Sequence, residues 1–132
     1  MGFTRPLAVE GTTMRWLTLI LLFVESGASA APTYLSCSVV SKEGKTTHIN
    51  VTADEANQTA TFEVVETGHS ERRPAVFSPT TVRFDVPSQF LTIGYTISRT
   101  DLSFTRTLVS PSMTPITDHG SCVVQEAPKR AF

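Results

Sequence analysis

The chain has 132 residues, with 11 Lys plus Arg against 12 Asp plus Glu and 40% hydrophobic residues. That balance excludes a disordered polyampholyte and a basic nucleic-acid binder, and the length bounds the fold to one small domain. Eight Phe, two Tyr and one Trp supply bulk for a core. Abundant Thr, Val, Ser and Pro favour strands and turns, so the predicted fold class is all-β.

The first segment with a pattern begins at Met14. Arg15 precedes an apolar run of nine residues, Trp16 to Val24, which Glu25-Ser26-Gly27 ends. Ala28-Ser29-Ala30 then sets small residues at the two positions a signal peptidase reads. This predicts a secretory signal peptide over 14–30, cleavage between Ala30 and Ala31, and a mature domain over 31–132. Nine apolar residues fall well short of the ~20 that a membrane-spanning helix needs, so no stable membrane span is predicted in the mature form. Residues 1–13 fit no signal-peptide region and read as an over-extended gene start. The predicted product is soluble after export, periplasmic or secreted.

Cys37 lies early in the mature chain and Cys122 near its end. In an oxidising compartment an even pair in so small a domain reads as a disulfide, which would tie the first strand to the last. Serines flank Cys37, and Ser121 and Val123 flank Cys122, so neither has the neighbouring cation or base that a reactive thiol needs.

Period-two alternation recurs along the mature chain. Leu35, Cys37 and Val39 share one face, then Thr47, Ile49 and Val51 after a Lys42-Glu43-Gly44-Lys45 turn, then Ala60, Phe62 and Val64 after a turn at 54–57. These three strands predict a meander. The stretch 66–79, with Gly68, Pro74 and Pro79, reads as loop holding a short strand at Ala75-Val76-Phe77. Val82, Phe84 and Val86 resume the alternation, and Leu91, Ile93, Tyr95 and Ile97 give its longest run. In the next segment Arg106 falls on the face of Leu102, Phe104 and Leu108. Either a bulge shifts the register there, or an arginine reaches the core edge and needs a partner. The stretch 110–120, with Pro111 and Pro115, reads as a second loop, 122–125 closes the sheet, and 127–132 is a tail expected to fray. Seven or eight short antiparallel strands describe a sandwich or a closed barrel.

Chemistry-bearing residues are sparse. His48, His69 and His119 match no Cys/His metal spacing, with His48 reading as strand surface and the other two as loop. The sequence assigns no catalytic residue, metal or cofactor. A small hydrolase would have to use His119 beside Asp118, and no G-x-S-x-G elbow accompanies them. Asn50-Val51-Thr52 and Asn57-Gln58-Thr59 match the N-glycosylation sequon. The loops 66–79 and 110–120 are the predicted binding surfaces.

Tyr34-Leu35-Ser36-Cys37, the turn at 51–57, the hairpin from Tyr95 to Arg106 and Gly120-Ser121-Cys122 together resemble a group of small bacterial exported proteins of uncharacterised activity. More loosely, the Tyr-x-x-Cys start resembles the periplasmic inhibitors of c-type lysozyme. That resemblance implies a small disulfide-containing β-barrel with a hydrolase as partner. Those inhibitors insert a Ser-Gly-x-x-Tyr loop into the lysozyme cleft, whereas this chain has Ile93-Gly94-Tyr95-Thr96 within a strand pattern. The reading that follows is a non-catalytic binding or structural domain of the envelope or exterior, with a protein or glycan ligand. The exported protein is expected to have an intact mass that starts at Ala31 and to gain two alkyl groups only after reduction; thiols alkylated without reduction would refute the disulfide.

Overall fold

The computed structural model describes residues 31–127. The segments 1–13 and 14–30, Ala30 of the cleavage junction, and residues 128–132 of the predicted tail lie outside them. The described residues form eight strands: β1 (Thr33–Val40), β2 (Thr46–Asp54), β3 (Thr59–Val64), β4 (His69–Phe77), β5 (Thr81–Pro87), β6 (Thr92–Ser98), β7 (Ser103–Ser110) and β8 (Met113–Gln125). Each pairs antiparallel with the next, and β8 pairs back onto β1, so the sheet is a closed up-and-down barrel rather than a sandwich.

Alternation decides what faces inward. In β1 the burial pattern puts Leu35, Cys37 and Val39 inside and the intervening serines outside. Phe62, Phe84, Tyr95 and Phe104 meet in the middle, with Tyr95 stacked on Phe104 at 5.6 Å and set 5.2 Å from Phe84. An eight-stranded barrel has an interior just wide enough for side chains to fill, and these rings fill it. The barrel is therefore plugged at mid-height.

Closure depends on β1 and β8. Cys37 and Cys122 stand directly opposite in the register, 4.0 Å apart at Cα, and are joined as a disulfide. The bond spans 85 residues, and a ring of that size stabilises by about 4 to 5 kcal/mol in the chain-entropy account. Two residues earlier, Gly120 permits the same approach: a Cβ there would lie 1.8 Å from the Ser38 carbonyl oxygen, so no other residue fits.

Two stretches that read as loops are strands. β4 takes up most of 66–79, and its inward positions include Glu71 and Arg73 before Ala75 and Phe77, so the apolar alternation that marks a strand is missing from its first half. Pro74 faces β5 at the point where the ladder stops. The Asp85 carbonyl, which would have accepted a hydrogen from residue 74, accepts one from Arg73 Nε at 2.9 Å instead. Pro87 denies β5 a further donor, and the β4–β5 ladder has three residue pairs where every other has six or more. The second stretch, 110–120, is a tight turn at Pro111-Ser112 followed by β8, with Pro115 in a bulge where the register shifts between Leu108 and Ser110. His69 and His119 consequently lie on strands, not loops.

The misfit of Arg106 resolves without a bulge at that position. Its side chain points inward and meets Asp118 of β8, with Nη2 donating to Oδ2 at 2.8 Å and Nε to the same oxygen at 3.3 Å. Asp118 is 5% exposed, so removing its partner strands a buried carboxylate. Arg106→Ala is expected to cost about 3–5 kcal/mol by denaturant unfolding. The double substitution Arg106→Met with Asp118→Leu should recover most of that loss. A single-mutant cost under about 1 kcal/mol would show the pair to be solvated.

Candidate functional site

The two ends of the barrel differ in chemistry. One end carries the turns 55–58, 78–80 and 99–102, together with the start of β1 and the end of β8. At this mouth an apolar depression of about 210 Å³ remains above the aromatic plug, walled by Leu35, Ala53, Phe77, Val82, Ile97 and Leu102.

Local sequence shapes the mouth. Ser98 Oγ accepts hydrogen bonds from the backbone N–H of Thr100 and Asp101, and the Asp101 carboxylate accepts one from Ser103 N at 3.0 Å. The bond from the Ser103 backbone foremost, with hydrogen bonds from the Ser98 and Ser103 side chains, holds the Asp101 carboxyl below its ordinary value. The turn closes with Leu102 at φ 61°, a left-handed conformation that costs a non-glycine residue about 1–2 kcal/mol. In return the Leu102 side chain packs against the core at the mouth. Gln58, at φ 53°, plays the same backbone role in the β2–β3 turn.

Those two turns meet through an ion pair. Arg99 Nη2 donates to Glu55 Oε1 at 2.8 Å and Nη1 to Oε2 at 3.3 Å, a two-pronged pairing across 44 residues. Arg99 Nη1 also donates to the Ser78 carbonyl at 2.7 Å, and the guanidinium sits 6.0 Å over the Phe77 ring. The arginine thereby links all three turns of this end. With side chains 35% and 52% exposed, the pair contributes at most about 1 kcal/mol to stability and stays open to exchange with a ligand.

Toward the opposite end charged side chains enter the interior beside the apolar Val64, Val86 and Ile93. Arg106 and Asp118 lie there, and on β4 Glu71 stands 3.4 Å from both His69 Nε2 and Arg73 Nη1. Burial pushes the Tyr95 phenol above its ordinary value, and the Arg106 charge offsets part of that shift.

The residues singled out in the sequence scatter. Cys37 and Cys122 form the disulfide. Asp118 and His119 are neighbours on a strand and face opposite sides, the carboxylate inward on Arg106 and the imidazole on the exposed outer surface. They do not form a catalytic pair. His48 Nδ1 lies 2.6 Å from Glu66, whose carboxyl that hydrogen bond lowers, while His69 is on β4 and His119 on β8. Among the described residues no three His, Cys, Asp or Glu side chains gather as a metal site. Asn50 faces outward on β2 against Glu63, and Asn57 caps on Asp54 in the next turn. The stretches 66–79 and 110–120 are largely the strands β4 and β8 rather than long loops, and the mouth turns, with Glu55 and Arg99, were not singled out. The hairpin from Tyr95 to Arg106 was legible, but the pairing of two charges so far apart in the chain has no local signal. Comparison with protein-family models, curated proteins and solved structures gives no match.

A raised phenol is favoured neutral in the folded state, so its contribution to stability is present below the unfolded tyrosine value near 10 and is lost as pH rises through the folded value. Phenolate absorbance is expected to show a late tyrosine step above pH 10, absent from Tyr95→Phe. A titration unchanged by that substitution would mean that solvent reaches the ring freely.

Proposed function

We propose that the protein is a non-catalytic binding domain, exported to the periplasm or exterior, which receives one apolar side chain of a protein ligand in the mouth around Glu55 and Arg99. The observation that carries this reading is the apolar depression left above the plug, spanned by an exposed two-pronged ion pair. Barrel mouths are preferred ligand sites, and about 210 Å³ is below the roughly 300–1,000 Å³ of pockets that enclose a whole small molecule. The volume suits a single anchoring side chain, with Glu55 and Arg99 left to meet the polar backbone around it. Export is supported by the Ala28-Ser29-Ala30 sequence and by the disulfide, which suits an oxidising compartment.

A second reading is an inhibitor of a c-type lysozyme. The closed barrel and its disulfide favour it, being what the resemblance implies. Against it, Tyr95 of the Gly94-Tyr95 pair is buried in the plug and unable to enter a cleft. Unchanged lysozyme turnover in the presence of the pure protein would remove this reading.

The test of the mouth uses N-acetylphenylalaninamide and N-acetylleucinamide as probes in an NMR titration. Saturable shifts are expected at Ala53, Leu102 and Val124. Leu102→Asn should abolish them while keeping the turn, since asparagine tolerates the left-handed conformation. Absence of any shift with both probes, or shifts indifferent to Leu102→Asn, would sink the reading.

A further inference from the structure

Gly94 is a glycine the fold does not require. It sits in the middle of β6 with its missing side chain directed outward, between the inward Ile93 and Tyr95. A Cβ there would meet Asp85 Oδ1 at 3.2 Å, Arg83 Nη2 at 3.8 Å and the Thr107 carbonyl at 3.9 Å, and the closest of these is the movable end of an exposed side chain. Gly120, where the same atom would strike the Ser38 backbone, shows what a packing requirement looks like. Glycine inside a strand costs about 0.5–1 kcal/mol relative to alanine, and it marks places where something approaches the backbone closely.

What glycine does at 94 is keep a groove open. The outer faces of β5, β6 and β7 form a depression of about 340 Å³ floored by Gly94 and bordered by Arg83, Asp85, Thr92, Thr96 and Thr107. On the far side of Arg83 and Asp85 a second depression, of about 270 Å³, runs over the β4–β5 seam beside Pro74 and Val76. The two share the Arg83–Asp85 wall, so together they cross four strands.

The geometry points to an uncharged oligosaccharide as the ligand of this outer groove. The shared wall carries one cation and one anion, 3.8 Å apart and both more than half exposed, and Arg73, which also lines the second depression, is held by Glu71 and the Asp85 carbonyl, so the groove offers little net charge to an ionic ligand. A carboxylate accepts from two adjacent hydroxyls, a guanidinium donates in parallel pairs, and threonine hydroxyls do either, which matches the vicinal hydroxyls of a sugar ring. Pro74 and Val76, the latter 71% exposed, supply an apolar surface for the C–H face of a neighbouring ring. A sugar unit laid over Gly94 would swing aside the exposed Asp85 carboxylate that leans over it and contact main chain, which a side chain at 94 would prevent. This site lies on the barrel wall and is independent of the mouth.

The experiment is an NMR titration of the intact protein with N-acetylchitotetraose, a neutral tetrasaccharide, with maltotetraose and cellotetraose run alongside. At least one is expected to give saturable shifts of the Val76, Asp85, Gly94 and Thr107 amides. Gly94→Val fills the floor and should abolish them while thermal unfolding stays the same or rises by a few degrees, valine being the better strand former. Arg83→Ala, a surface change, should weaken binding by about tenfold, the loss of a hydrogen bond from a charged donor. Absence of shifts with all three sugars would overturn the proposal, as would shifts that persist in Gly94→Val. So would an extended peptide that moves these amides where the sugars do not.

Discussion

Everything in this fold depends on β1 meeting β8. Without that contact the chain is a meander with two unpaired edges; with it, the sheet has an inside. The requirement is met twice within three residues, by removal of a side chain at Gly120 and by a covalent bond at Cys122. The two devices act on different states. The glycine lowers the energy of the folded contact, whereas the disulfide restricts the unfolded chain.

Once closed, the barrel is too narrow to be hollow, and four aromatic rings take its middle. The consequence is a division of labour between its ends. Charged side chains such as Glu71, Arg73, Arg106 and Asp118 occupy one end of the interior, where each finds a partner. The other end stays apolar because its charges, Glu55 and Arg99, sit on turns outside it. The binding proposed at the mouth would therefore need no rearrangement of the core. A ligand would exchange against an exposed ion pair and leave the buried one untouched.

Much of this architecture was legible in the sequence because it follows from alternation. Leu35, Cys37 and Val39, and likewise Phe84, Tyr95 and Phe104, announce both strand and facing. Reading failed where inward positions are polar: Glu71 and Arg73 hide the first half of β4, and Pro74 completed the impression of a loop. Pro115 misled in the same way, since a proline in a bulge and a proline in a loop look alike locally. Arg106 was visible as an anomaly, but its partner Asp118 could be named only once β7 and β8 were set side by side. The mouth was not legible at all, because Glu55 and Arg99 are brought together by barrel closure and by nothing in their own neighbourhoods.

The short β4–β5 ladder gives the barrel a preferred line along which to breathe. Parting there would leave an open sheet with β5 at one edge and β4 at the other, the disulfide lying between its two central strands. Exposed edges of that kind are templates for aggregation, and both are already blunted. β4 brings Arg72 and Pro74 to its edge, and β5 brings Arg83, Asp85 and Pro87. The prolines that shorten the ladder thus also interrupt the edges its opening would bare, so that a barrel unzipped at this seam offers a second chain only short, charged stretches on which to add a strand.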